Sequence, residues 1–171
     1  MKYTIGDTIV YGGNGVCEVS GIENKNLFGD GEEQYYVLTP LFIKQASTLY
    51  VPVNNEKMTS KIKPVISHKE ADELVKNIPN IEIDWIEDKN LRKNTFSHLI
   101  NFGTREEIIG IINLIIKHRD ALVSEGKRLN MMDEKLLNDA ERVMNGEFAV
   151  AFGILPNEVP EYIHTVIAKG A

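Results

Sequence analysis

Cys17 and the histidines at 68, 98, 118 and 164 are the side chains from which this chain would have to build nucleophilic or metal chemistry. A thiol nucleophile needs a base beside it and a third group to orient that base. Cys17 instead lies in Val16-Cys17-Glu18-Val19, where alternation reads as a strand and a lone cysteine packs as a small hydrophobe. The histidines fall in separate segments without the i,i+4 partners a metal site uses. Gly12-Gly13-Asn14-Gly15 could cradle a phosphate, but it lacks the Lys-Ser/Thr of a P-loop and a following helix, so it reads as a hairpin turn. Glu32-Glu33 is expected in a solvated turn, and Glu106-Glu107 in a first helical turn favoured by the helix dipole. The expectation is therefore no enzyme, no catalytic residue, no metal and no cofactor.

Recognition remains, and Trp85, the single tryptophan, invites it. Asp84-Trp85-Ile86-Glu87 has the layout of a capping box, which would place Trp85 at the first helical position, projecting outward. Lys89 lies about one helical turn onward, and Arg92 and Lys93 about two. An aromatic ring beside cations suits an opened base step or a minor groove, the ring entering the step while the cations hold phosphates. The same tryptophan could instead staple the start of its helix to a bundle.

Two kinds of element must carry these residues. Over residues 1–66, short runs rich in Val, Ile, Tyr and Thr alternate with Gly, Asn and Asp clusters. Thr8–Tyr11 and Val16–Ile22 form a hairpin with a bulge at Ser20-Gly21, and further strands follow at Tyr35–Leu38 and Ser47–Val53. So short an antiparallel sheet is expected to curl into a Tudor/SH3-like barrel that covers its edges.

From residue 67 the spacing turns helical. Ser67-x-x-Glu70, Asp84-x-x-Glu87 and Thr104-x-x-Glu107 are three start signals, and Ile78-Pro79-Asn80 marks a break between the first two. Ile108, Ile111, Ile112, Ile115 and Leu122 follow the helical period in what should be the central helix. A helix from about Asp133 to Ala151, ended by Gly153, and another after Asn157 complete an all-α bundle of about five helices. The fold class is α+β in two domains, 1–66 and 67–171, joined by a short stretch that should restrict their relative orientation.

Composition bounds the partners. The formal net charge is -6, with 6 Lys+Arg against 7 Asp+Glu in residues 1–66 and 13 against 18 thereafter. Phosphate neutralisation dominates affinity for free DNA, so any contact with DNA must use a small patch and draw on a second partner. There is no apolar run of membrane-spanning length and no signal-peptide pattern, and one cysteine excludes an internal disulfide. A cytoplasmic protein without membrane contact is expected, as a monomer.

Ile5-Gly6-Asp7-Thr8-Ile9-Val10-Tyr11, then Gly15-Val16, Tyr35-Tyr36-Val37-Leu38 and Val51-Pro52-Val53 stand in order ahead of the helical half. That half has its tryptophan near the start and Leu137-x-x-Ala140 to Gly146-Glu147 near the end. The whole resembles the CarD/CdnL family of bacterial transcription regulators. The resemblance implies that 1–66 is a Tudor-like domain docking on the β-subunit lobe of RNA polymerase, as in transcription-repair coupling factors. It implies that 67–171 contacts promoter DNA at the upstream fork of the melted bubble, with Trp85 in the minor groove, and that the open complex is stabilised without chemistry. The protein would then be nucleoid-associated through polymerase.

On this reading Trp85, Lys89, Arg92 and Lys93 meet DNA, while Lys25, Tyr36, Tyr50 and Val51 meet polymerase, with Gln34–Leu38 or Thr48–Val51 as the edge strand offered for pairing. The chain departs from the family at Gly12 and Asn14, where proline and histidine are common, and at Tyr50, where some members have a cation. Glu87 and Asp88 follow the tryptophan where arginines are common, which moves the cations along the helix. The alternative is a polymerase- or protein-binding adaptor with no direct DNA contact.

Overall fold

Strand alternation sorts the first half into two faces. The computed structural model describes residues 2–170, and in it Thr8–Tyr11 (β1), Val16–Lys25 (β2), Glu33–Pro40 (β3), Leu49–Pro52 (β4) and Ile62–Pro64 (β5) form one antiparallel sheet of order β4-β3-β2-β1-β5. Ile9, Tyr11, Cys17, Val19, Tyr36, Leu38, Val51 and Ile62 point to one side and bury together with Tyr3. The bulge expected at Ser20-Gly21 is present as a register shift between Val19 and Gly21, which keeps Ile22 opposite Tyr36.

The expected closed barrel is corrected to a curled, open sheet. Val51 of β4 and Ile62 of β5 share the same apolar cluster, but β4 and β5 do not pair. Proline ends both strands without an N–H to give, and the Pro64 carbonyl is taken by Arg105, so little ladder is left to close with. Gln34–Leu38 is likewise corrected as a candidate edge, because β3 lies between β2 and β4. The edge strands are β4 and β5, and Arg105 covers the end of β5 at the Pro64 carbonyl, which leaves β4 the freer edge.

One helical turn, Glu56–Thr59 (α1), precedes β5, and five helices follow it: His68–Asn77 (α2), Lys89–Phe102 (α3), Arg105–Ser124 (α4), Met131–Phe152 (α5) and Val159–Gly170 (α6). Ser67 caps α2 by accepting from the Glu70 N–H, and Thr104 and Glu107 form a full reciprocal box at α4. Gly153 closes α5 in the left-handed conformation at φ 68°. The third expected box does not form. Residues 81–87 are extended and Asp88 caps α3, accepting from the Leu91 N–H at 2.8 Å.

The two halves share a core. Ile9 and Tyr11 face the sheet interior, so Val10 between them, with Val16 opposite, faces the helices and buries among Ile100, Ile108, Val143 and Met144. Each such side chain contributes about 1.5 to 3 kcal/mol on leaving water. The glycine-rich turn is where the backbones meet. Asn101 Oδ1 accepts from the Gly13 N–H at 3.0 Å, Arg142 Nη2 donates to the Gly13 carbonyl at 2.8 Å, and a side chain at Gly12 would meet Asn101 Oδ1 at 2.8 Å. Below it, Glu147 at 2% exposure accepts from Arg105 Nε at 2.8 Å and Nη2 at 2.7 Å and from the Ile66 N–H at 3.0 Å. Arg105 also donates to the Pro64 carbonyl, and Lys63 Nζ to that of Gly103. These bonds hold the junction at 63–66 in one orientation.

Candidate functional site

Trp85 sits in an extended strap rather than on a helix. After α2 and the turn Ile78–Asn80, the segment Ile81-Glu82-Ile83-Asp84-Trp85 alternates apolar and acidic residues, and its apolar positions lie on the helical bundle. Asn113 on α4 donates to the Ile78 carbonyl at 3.0 Å and the Ile81 carbonyl at 3.2 Å. Ile83 occupies the space left by the missing side chain of Gly110, whose Cβ would stand 2.6 Å from Ile83 Cγ2. The Trp85 ring stacks on His118 with centroids 4.1 Å apart, and the Arg92 guanidinium lies 4.4 Å from the ring centroid. It is half-buried.

Arg92 is corrected as a surface cation. Its side chain is buried, with Nε and Nη2 donating to the two oxygens of Asp133 at 2.8 and 2.9 Å. Nη1 donates to the Ile86 carbonyl at 2.8 Å and the Glu87 carbonyl at 3.3 Å. A buried arginine needs such a partner set, because an unpaired charge away from water is costly. Lys89 and Lys93 remain exposed, as do Asp84, Glu87 and Asp88, so the exposed charges next to Trp85 in sequence are of both signs.

The second surface lies on β4 and its neighbours. Tyr50 and Lys25 face outward together: Lys25 Nζ sits 4.6 Å from the Tyr50 ring centroid and donates to Tyr50 Oη at 3.3 Å. That hydrogen bond, with a second to Glu23, holds the ammonium above its ordinary pKa. Tyr35 meets the Tyr50 ring edge-on at 6.4 Å. Tyr36 and Val51 are corrected as side-chain contacts, since the two pair across β3 and β4 on the inner face and are buried there. The Tyr36 hydroxyl is taken up by the N–H groups of Lys2 and Tyr3. Because the Val53 N–H bonds the Gln34 carbonyl at 2.9 Å, the period of two turns the backbone groups of Tyr50 away from β3. The free edge thus offers the Tyr50 N–H and C=O.

The remaining histidines His68, His98 and His164 are exposed and lie in separate elements. His68 meets Phe152 edge-on and His98 stacks on Phe102. Among the described residues no group of three His, Cys, Asp or Glu could hold a metal ion, and no helix is long and apolar enough to cross a membrane. Cys17 is fully buried, and burial pushes its thiol up to about 11. A thiol that is harder to ionise folded than unfolded binds its proton more tightly in the native state. Its contribution is complete below the ordinary value of 9.0 and is lost as pH rises toward about 11. Melting temperature should therefore fall faster between pH 9 and 11 in the native chain than in Cys17→Val; parallel curves would remove the thiol as the cause.

What sequence reasoning missed was the strap, and its signal was present. Alternation over 81–85 is a period of two, and it competed with a capping pattern four residues long, Asp84-x-x-Glu87. Comparison with known proteins bears on the sheet half: residues 3–66 match the family model described as CarD-like/TRCF RID domain. No curated protein matches the chain.

Proposed function

We propose, from the premise that residues 3–66 form a CarD-like/TRCF RID domain, that the chain docks on the β subunit of RNA polymerase and contacts promoter DNA through its helical half. The observation that carries the reading is the sheet domain itself, with an edge strand β4 whose Tyr50 is met across the outer face by Lys25 of β2. Docking gives the helical half a high effective concentration near the promoter, so a weak DNA contact suffices. Trp85, half-buried on the strap that leads into α3 with its exposed Lys89 and Lys93, supplies that contact at the upstream fork of the bubble. It favours the open complex to the extent that it binds an unstacked step better than closed duplex, since a ligand shifts an equilibrium only by differential affinity.

A coupling of about 1 to 3 kcal/mol corresponds to a five- to 150-fold change in open-complex stability. Trp85→Ala in the full chain should shorten open-complex lifetime within that range while co-precipitation with the β subunit stays intact. Tyr50→Pro removes the outward N–H of β4 without breaking its ladder with β3, and should abolish co-precipitation and the lifetime effect together. Unchanged lifetime with Trp85→Ala removes the DNA contact and leaves an adaptor. That second reading has its own support in the acidic balance of the helical half and in the packing of Trp85 on His118.

A further inference from the structure

We propose that Arg92 is a positioning residue that presents Trp85, and that it makes no phosphate contact of its own; the functional consequence rests on the reading of Trp85 given above. The strap over 81–87 has no helix or ladder to hold its backbone, so its shape depends on side chains that reach it. Asn113 holds its beginning through the Ile78 and Ile81 carbonyls, and Arg92 holds its end through those of Ile86 and Glu87. Between these two points Trp85 rests within 4.4 Å of the guanidinium.

The orientation of Arg92 is itself fixed. Asp133 has no solvent exposure and accepts from Arg92 at both oxygens. It is held in turn by Asn130, whose Nδ2 donates to Asp133 Oδ2 at 2.9 Å and whose Oδ1 accepts from the Asp133 N–H at 2.9 Å while capping α5. A chain of bonds therefore runs from the start of α5 through Asp133 and Arg92 to the peptides next to Trp85. Four of the five guanidinium donors can serve this purpose only because the fork is planar and rigid, and an ammonium at the same position supplies a point charge without it.

Lysine therefore separates the two roles. A phosphate contact would largely survive Arg92→Lys, whereas a positioning fork would not. Because Trp85 is the only tryptophan, its fluorescence reports the platform directly in the free protein, without DNA or polymerase. Arg92→Lys and Arg92→Met should both red-shift its emission and raise acrylamide quenching by about twofold, and both should shorten open-complex lifetime to near the Trp85→Ala value. Co-precipitation with the β subunit should be unaffected.

Removing one partner of a buried pair leaves a charge unmatched, so Arg92→Met/Asp133→Leu, which removes both, serves if the single variants do not fold. It should show the same change in fluorescence with a native melting transition. Wild-type emission and quenching in that double variant, or a wild-type open-complex lifetime in Arg92→Lys, would overturn the assignment. If Trp85→Ala proves to leave lifetime unchanged, the fluorescence comparison still decides whether Arg92 positions the ring.

Discussion

Arg105→Met is expected to lower Tm by roughly 10 °C, the counterpart of about 3 kcal/mol in a chain of this length. The loss comes from the partner left behind. Glu147 is buried to 2% exposure and takes two hydrogen bonds from Arg105, so the substitution leaves its carboxylate beside Val10, Ile108 and Met144 with the Ile66 N–H as its one remaining hydrogen bond and the Lys63 ammonium as its nearby charge. The side chain of Arg105 retains 25% exposure, which admits some water to the vacated site and keeps the cost at the lower end for a broken buried pair. Arg105 also bonds the Pro64 carbonyl, so the same change loosens β5 and the junction. Amide exchange at Ile66 should accelerate more than exchange in β3, whose ladder lies on the far side of the sheet from this clamp. A Tm within about 2 °C of the native chain would show the clamp to be idle. Should the reading of function hold, this variant would also weaken the effect on open complexes, because tethering depends on the angle at which the sheet presents the helices.

The clamp illustrates how far sequence carried the fold. Strand runs, the bulge at Ser20-Gly21, two of three helix starts and the Gly153 stop were visible because each is a local signal of period or cap chemistry. The partner of Glu147 lies 42 residues away and that of Asp133 lies 41 residues away, and nothing local announces either. Arg92 was expected on the surface for that reason: it was placed about two turns along a helix beginning at Trp85, beside other cations, and only Asp133, brought in by the α5 cap, turns it inward. For Tyr36 and Val51 the parity of the strand decided the matter. Tyr35 and Tyr36 look alike in sequence, yet the pairing of Tyr36 with Val51 sends both inside and leaves Lys25 and Tyr50 on the outer face. Gly12, Gly13 and Gly15 were legible as a turn; that the turn is also the docking point for Asn101 and Arg142 was not.

Gly110→Val should cost about 2 to 3 kcal/mol, although on helix propensity alone it would be mildly stabilising. Glycine within a helix is worse than valine by a few tenths of a kcal/mol, and Gly110 lies in the first third of α4, so the local term favours the substitution. The packing term opposes it. A Cβ at this position would stand 2.6 Å from Ile83 Cγ2 and 3.3 Å from Cγ1, and valine adds two further methyl groups. Ile83 cannot simply rotate away, because Asn113 holds the strap before it and Trp85 is stacked on His118 two residues after it. The strap must lift as a unit, so loss of stability should be accompanied by a red shift of Trp85 emission. Adding Ile83→Ala vacates the contested space, and in that background Gly110→Val should cost less than about 1 kcal/mol. Equal costs in both backgrounds would mean that the glycine serves the helix rather than the strap, and that the placement of Trp85 has another origin.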